Sequence, residues 1–257
     1  MINLVVIKMS QWKLLVLLSL LTISQCNSEI PSFLKICHRS DLHLNECVKH
    51  SVEAIKPHLR VGIKELNIPS CEPLKISKIN ISQSSPTIAV KFVSTNILIK
   101  GGTHFVLKKV NIDFDKNQIE LKIFFPRLSM TSDYDINGRI MMIPIRGQGQ
   151  SQGNFSEINA DIMIQGERYE NNIDKKIYFR IKDVLTYFDV GHANMSLDNS
   201  FNRDKTLALG MNTFLRDNWK TVAVDMKPAI GNSIADLVKK YTEEIFSKYP
   251  LDLLLPL

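Results

Sequence analysis

The stretch Met211-Asn212-Thr213-Phe214-Leu215-Arg216-Asp217-Asn218-Trp219-Lys220-Thr221-Val222-Ala223-Val224-Asp225-Met226, with its continuation to Tyr249, decides the fold. Apolar side chains recur in it every three or four positions: Met211, Leu215, Trp219, Val222, Met226, Ile230, Ile234, Leu237, Tyr241 and Ile245. That spacing lays one apolar stripe along an α-helix. Pro228 interrupts the stretch, and a proline lacks the N–H and presses its ring on the preceding turn. The stripe keeps its phase across Pro228, so the expectation is one kinked helix or two nearly collinear ones. At about 1.5 Å per residue it runs to roughly 55 Å. A helix of that length needs an equally long apolar partner.

The preceding chain supplies one. From Leu74 to about Leu197 apolar and polar residues alternate: Ile79 and Ile81; Ile88, Val90 and Phe92; Ile119, Leu121, Ile123 and Phe125; Leu128 and Met130; Tyr134 and Ile136; Ile140 and Met142; Ile162 and Ile164; Ile177, Phe179 and Ile181. Strict alternation marks antiparallel strands with one wet and one dry face. Turn signals at Ser84-Ser85-Pro86, Gly101-Gly102, Asp115-Lys116-Asn117 and Pro126 divide the region into about eight strands. The fold class is α+β, with a long C-terminal helix wrapped by a curved antiparallel sheet. Near Gly191 the alternation needs a bulge, because putting Asn194 outward otherwise exposes Phe188.

The N-terminal residues read as a secretory signal: Lys8 and Lys13, an apolar run from Leu14 to Ile23, then the small or polar Ser24, Cys26 and Ser28. The expected division is a signal over 1–28 and a single domain over 29–257, secreted and extracellular. Asn80, Asn154 and Asn194 each open an Asn-x-Ser/Thr glycosylation triplet. In an oxidising compartment Cys37 and Cys47 are the natural disulfide pair, leaving Cys71 as a small buried residue. Leu44 to Arg60 has helical spacing, bent by Pro57 and stopped by Gly62, and the prolines in Ile68-Pro69-Ser70-Cys71-Glu72-Pro73-Leu74 predict an extended link.

The net charge of +6 is spread among acids, without a Lys/Arg block, so nucleic acid is not an expected partner. No further stretch is long and apolar enough for stable membrane insertion. No nucleophile elbow (Gly-x-Ser-x-Gly) is expected anywhere in the chain, and His38, His43, His50 and His58 lack metal-ligand spacing. Gly147-Gln148-Gly149-Gln150-Ser151-Gln152-Gly153 lacks the Lys-Ser/Thr of a phosphate loop and reads as a glycine-rich strand. No enzyme, cofactor or metal is expected. Methionines and twelve phenylalanines offer adaptable apolar surface instead.

Cys37-His38-Arg39-Ser40-Asp41-Leu42-His43-Leu44-Asn45-Glu46-Cys47 resembles the N-terminal motif of the takeout / haemolymph juvenile-hormone-binding-protein-like family of insects. Ile68 to Leu74 resembles that family's entry into its first long strand. Ser200 to Lys205, Met211 to Lys220, Lys227-Pro228-Ala229-Ile230 and Ile245 to Pro250 continue the resemblance to the end of the chain. It implies a TULIP-like super-roll: a long helix wrapped by a strongly curved sheet around an apolar tunnel that carries a small lipophilic ligand such as juvenile hormone, a fatty-acid-like chain or another terpenoid. A second disulfide, found in the family's high-affinity hormone binders, has only Cys71 to draw on here, which points to the takeout-like branch. Arg203 stands where the family usually has glycine.

On that reading and the strand parity, the expected tunnel lining is Phe105, Ile112, Phe114, Leu121, Ile123, Phe125, Met130, Tyr134, Ile136, Ile140, Met142, Phe179, Met211, Leu215, Trp219, Val222 and Ile234. Tyr134 or Trp219 would orient a ligand oxygen, and a monomer is expected. The alternative is an extracellular interaction or lipid-surface module with a filled core, as in innate defence, using surface charges such as Lys239 and Lys240.

Overall fold

A computed structural model describes residues 30–86, 88–140, 142–198 and 205–257. The expected signal segment, Cys26 and the Ser200–Asp204 part of the family motif lie outside the described residues. Helix α1 (Leu44–Ala54) and the short α2 (Lys56–Val61) precede strands β1 (Leu74–Ser84), β2 (Ile88–Lys100), β3 (Val106–Asp113), β4 (Gln118–Ile140), β5 (Ile143–Glu170) and β6 (Ile177–Leu197). Helix α3 (Lys205–Lys248) and a final turn, α4 (Leu251–Leu254), follow. All strand pairs are antiparallel in the order β1-β2-β4-β5-β6, and β3 pairs with β4 beyond the end of β2.

The described strands number six rather than about eight, because β4 and β5 are 23 and 28 residues long. Pro126, expected to mark a turn, sits inside β4. Its position explains a feature that alternation alone does not. Before Pro126 the dry residues of β4 are Ile119, Leu121, Ile123 and Phe125; after it they are Leu128, Met130, Ser132, Tyr134 and Ile136. The same reversal occurs in β5 at Glu157 and in β6 at Gly191.

Pro126, Glu157 and Gly191 lie side by side. The pairs Phe125↔Ile158 and Arg127↔Ser156 flank the first two, and Ile158↔Val190 and Ser156↔His192 flank the last two. No residue is inserted. Glu157 takes a left-handed φ of 56°, and a Cβ on Gly191 would lie 2.8 Å from the Glu157 Cβ. One seam therefore turns three strands over together while their register holds. It supplies the phase change anticipated near Gly191, without the extra residue of a bulge. Phe188 and Met195 consequently share the inner face.

Helix α3 is a single element of 44 residues, about 66 Å long. Pro228 is tolerated because it and Val224, whose carbonyl its ring deprives of a donor, are both exposed, so water serves that carbonyl. The exposed positions Arg216, Lys220, Val224, Pro228, Asn232, Asp236 and Lys240 recur every four residues. The helix repeats every 3.6, so its wet face, and the dry face opposite, winds around the axis from end to end.

That winding matches a helix lying along one sheet edge and reaching the other. Along β6, the Asn212 amide bonds both the N–H and the carbonyl of Leu197 (2.9 and 3.0 Å). Lys227 pairs with Asp189, and Thr186 donates to the Gly231 carbonyl at 2.7 Å. On the opposite side Ser85 donates to Asp225 at 3.3 Å, and Asn67 donates to Glu244 at 3.0 Å. The helix thus lies across the open side of a curled sheet.

Near the N-terminus the structure redraws two expectations. Pro57 opens the separate helix α2 rather than bending the first, and Gly62, at φ 94°, ends it. The 71–74 segment is a tight turn rather than an extended link: Cys71 bridges Leu74 around a cis Glu72–Pro73 bond. Cys71 is half-buried, and burial, with Glu72 beside it, pushes its thiol up from the ordinary range. Such surroundings make for an inert thiol.

Candidate functional site

The faces turned toward α3 form three zones. At the N-terminal end of the helix, Ile88, Val90, Tyr134, Ile136, Ile140, Ile145, Leu197 and Met211 are sealed together. Phe92, Phe214, Leu215, Val222 and Met226 pack on them. Tyr134 stacks on Phe92 with ring centres 6.1 Å apart. At the other end Leu44, Ile162, Ile164, Phe179, Ile181, Val184, Leu251 and Leu255 are buried with the Cys37 sulfur. Ile112, Phe114, Leu121, Ile123, Val238 and Phe246 pack around them.

Between the two lies a waist in which, apart from the buried Ile158 of β5, the large apolar side chains are half-buried on every wall. They are Met130 on β4, Phe155 on β5, Phe188, Val190 and Met195 on β6, and Trp219, Ile230, Ile234 and Leu237 on α3. None of them belongs to a sealed cluster.

The expected lining residues are distributed accordingly. Tyr134, Ile136, Ile140, Met211, Leu215 and Val222 meet in the first zone, and Ile112, Phe114, Leu121, Ile123 and Phe179 in the last. Met130, Trp219 and Ile234 lie in the waist. Phe105 and Phe125 form their own tilted pair, 6.2 Å apart, with the Lys56 ammonium over Phe105. Met142 is not a lining residue. It is 88% exposed at the β4–β5 hairpin tip, where the chain reverses and the dry face ends.

The stripe also missed inner residues. Val238 and Phe246 pack on β6 from a second helical row adjacent to the expected one, and Phe188, whose inward face depended on the phase change anticipated near Gly191, was left out of the expected lining. A small cleft of about 20 Å³ opens at the far end among Ile112, Phe114, Phe179, Phe246, Leu251 and Leu255.

The glycine-rich stretch 147–153 is strand β5, as its sequence suggested. Gly149 leaves room for the Tyr134 ring and the Asp198 carbonyl, and Gly153 for the Phe155 ring. The letters Gly149-Gln150-Ser151-Gln152-Gly153 do spell Gly-x-Ser-x-Gly, contrary to the expectation that no such element occurs. They lie in mid-strand rather than on a strand-to-helix turn, and Ser151 is 1% exposed. Among the described residues its hydroxyl bonds only Ser132, with no histidine or carboxylate to activate it.

Among the described residues no three His, Cys, Asp or Glu side chains converge on a metal position. His58 stacks on Phe33 at 4.0 Å, and His38 Nδ1 lies 2.9 Å from the Leu257 oxygen. No helix among the described residues is long and apolar enough to cross a membrane. The disulfide Cys37–Cys47 is formed. Asn80, Asn154 and Asn194 are all exposed, and the last two face each other across β5 and β6.

Known proteins share this arrangement. The chain is 23% identical over 230 residues to the circadian clock-controlled protein daywake of Drosophila melanogaster, covering 86% of each chain. Its similarity to the daywake of Drosophila yakuba is 22% over 229 residues, with the same coverage. The crystal structure of Epiphyas postvittana Takeout 1 superposes with a TM-score of 0.74 at 22% identity, over 87% of this chain and all of that one. That likeness shows the fold: a curled antiparallel half-barrel with a long C-terminal helix, the TULIP-like architecture. The family model of the haemolymph juvenile hormone binding proteins matches residues 15–256, and the chain belongs to that family.

Proposed function

We propose that this protein is a secreted, non-enzymatic carrier that holds one small lipophilic ligand between α3 and the sheet. The observation that carries the reading is the unsealed waist. From Leu215 to Ile245 every residue of the helix stripe is half-buried, and apart from the buried Ile158 the large apolar side chains of the waist on β4, β5 and β6 are half-buried too. A helix packed on a sheet for structure alone would close that surface.

A lipophilic chain laid along it would remove both walls from water. Burying about fifteen carbons gives roughly 10 kcal/mol gross at about 0.8 kcal/mol per methylene, and association takes back several kcal/mol. Micromolar or tighter binding then needs few polar contacts. The family's name supports a juvenile-hormone-like terpenoid or a fatty-acid-like chain as the ligand class. Secretion is supported by the signal-like residues 1–28 and by the formed disulfide. We take residues 29–257 as one carrier domain that works as a monomer, with Asn80, Asn154 and Asn194 as its glycosylation sites.

Native mass spectrometry of the protein collected from insect-cell medium, followed by solvent extraction, tests the reading. One lipophilic molecule per chain, and micromolar binding of N-phenyl-1-naphthylamine after extraction, is the expected result. Protein that is retained in the cells, or that carries no lipid and binds no probe, contradicts it.

A further inference from the structure

Three serines meet on the inner wall where the sealed zone borders the waist. Ser94 of β2 donates to Ser132 of β4, with the oxygens 2.7 Å apart, and Ser132 shares a second 2.7 Å bond with Ser151 of β5. They are 4%, 6% and 1% exposed. Ser132 and Ser151 are direct cross-strand partners. Ser94 stands opposite Tyr134, just before β2 shifts register, and so reaches Ser132 diagonally. All three lie on the dry face. Phe92, Tyr134 and Leu197, their neighbours on that face, pack with Met211, Phe214 and Leu215 of the helix.

Beside them on the same face the Tyr134 hydroxyl is also buried, while Thr103, another buried polar side chain, bonds Glu72 elsewhere in the fold. The ladder, with the Tyr134 hydroxyl beside it, is therefore the buried polar patch on this wall of hydrocarbon, among the described residues. It also has a proton to spare. Three hydroxyls bring three O–H donors, and two bonds between them use two. The remaining donor sits on Ser132 or on Ser151, depending on which way their shared bond runs. Neither has a further partner among the described residues. A buried hydroxyl proton without an acceptor is unfavourable, and a ligand oxygen would relieve it.

Resting on the carrier reading above, we infer that the Ser94–Ser132–Ser151 ladder seats an uncharged oxygen acceptor of the ligand. The ligand class is then a long-chain or terpenoid ester, ketone, ether or alcohol, with its hydrocarbon running along the waist past Trp219 and Ile234. A carboxylate or phosphate head does not fit. No cation is buried on this wall among the described residues, and an ionised group there would lose its hydration with no counter-charge.

The test displaces N-phenyl-1-naphthylamine with methyl palmitate, palmitate and hexadecane, each presented from cyclodextrin. The wild-type protein is expected to bind the ester about tenfold more tightly than the alkane, and more tightly than the carboxylate. In the triple variant Ser94→Ala/Ser132→Ala/Ser151→Ala, which removes every donor of the ladder, the ester-to-alkane ratio falls to about one with alkane affinity kept. Ser94→Ala retains the ratio, because Ser132 and Ser151 still have one donor to spare. Taking the ratio within each protein removes any general loss of stability. A ratio unchanged in the triple variant, or a wild-type preference for palmitate, overturns the inference and leaves the carrier standing. Failure of the wild-type protein to bind any of the three overturns both. Infrared spectra of carbonyl-labelled methyl palmitate need no variant. A bound carbonyl stretch below its value in cyclohexane supports the seat, and an unshifted band overturns it.

Discussion

Replacing Ile234 with glutamate is expected to weaken binding of a lipophilic probe by about a hundredfold, equivalent to roughly 2.7 kcal/mol, while leaving the protein folded. Ile234 is half-buried, and the exposed Asn232 and Asp236 on either side of it place its side chain opposite the wet face of α3. It belongs to no sealed cluster, so its loss should leave little cavity. Glutamate is a good helix former, and the half-open site lets its carboxylate hydrate in the empty protein, limiting the stability cost to roughly 1 kcal/mol. Ligand entry removes that water. An ionised carboxylate against hydrocarbon without a partner is strongly unfavourable. Fluorescence titration with N-phenyl-1-naphthylamine and a thermal melt read the two effects separately. Unchanged affinity would place the ligand elsewhere, and loss of folding would make Ile234 ordinary core.

The second large effect concerns the disulfide. Replacing Cys37 and Cys47 together by serine is expected to cost about 3 kcal/mol, from the loop entropy that the bridge removes from the unfolded chain. For a domain of this size that lowers the melting midpoint by roughly 10 °C. The bridge anchors the first turn of α1, which covers the free edge of β3. There the Asn45 side chain accepts from the Ile112 N–H at 3.0 Å, and Glu53 accepts from the Leu107 N–H at 3.1 Å. Although burial works to raise it, the Glu53 carboxyl is held below the usual range by Lys56 and by that amide. Hydrogen exchange should therefore show β3 opening first in the variant. A midpoint within about 2 °C of wild type, or unchanged β3 protection, contradicts this account of the bridge.

The helix was legible because its signal is long and periodic. Ten apolar positions from Met211 to Ile245 are all buried or half-buried in the structure, and Pro228 did not break the element. What the stripe concealed was its winding. The row every four residues from Arg216 to Lys240 sets α3 between two sheet edges, so Val238 and Phe246 became inner residues although they lay off the expected line. The strands were legible as β and as antiparallel, yet their number was not. Proline is a good turn marker, but Pro126 lies on the seam shared with Glu157 and Gly191, where three strands turn over in register. In β6 the reversal was legible, because Asn194 and Phe188 could not both take their proper faces without a phase change near Gly191, but nothing in the sequence of β4 or β5 marked its continuation across Glu157 and Pro126.

At the site, strand parity and helix phase placed Met130, Trp219 and Ile234 in the waist, but the same rule carried Met142 into a hairpin tip where no face is dry. Ser94, Ser132 and Ser151 were invisible for the opposite reason. Alternation counts polar residues as wet, and only the register shows three hydroxyls bonded together on the dry side.

The central claim is that a ligand lies between α3 and the sheet, and Trp219 reports on it directly. The chain has two tryptophans, at 12 and 219, so protein begun at Glu29 carries Trp219 alone. Titration with methyl 9,10-dibromostearate, with methyl stearate as the control, brings a short-range quencher to any site that takes the chain. Saturable quenching of Trp219 at one equivalent, absent with methyl stearate and lost in Ile234→Glu, is the predicted result. Binding without quenching, or quenching that never saturates, would contradict a ligand site beneath the helix.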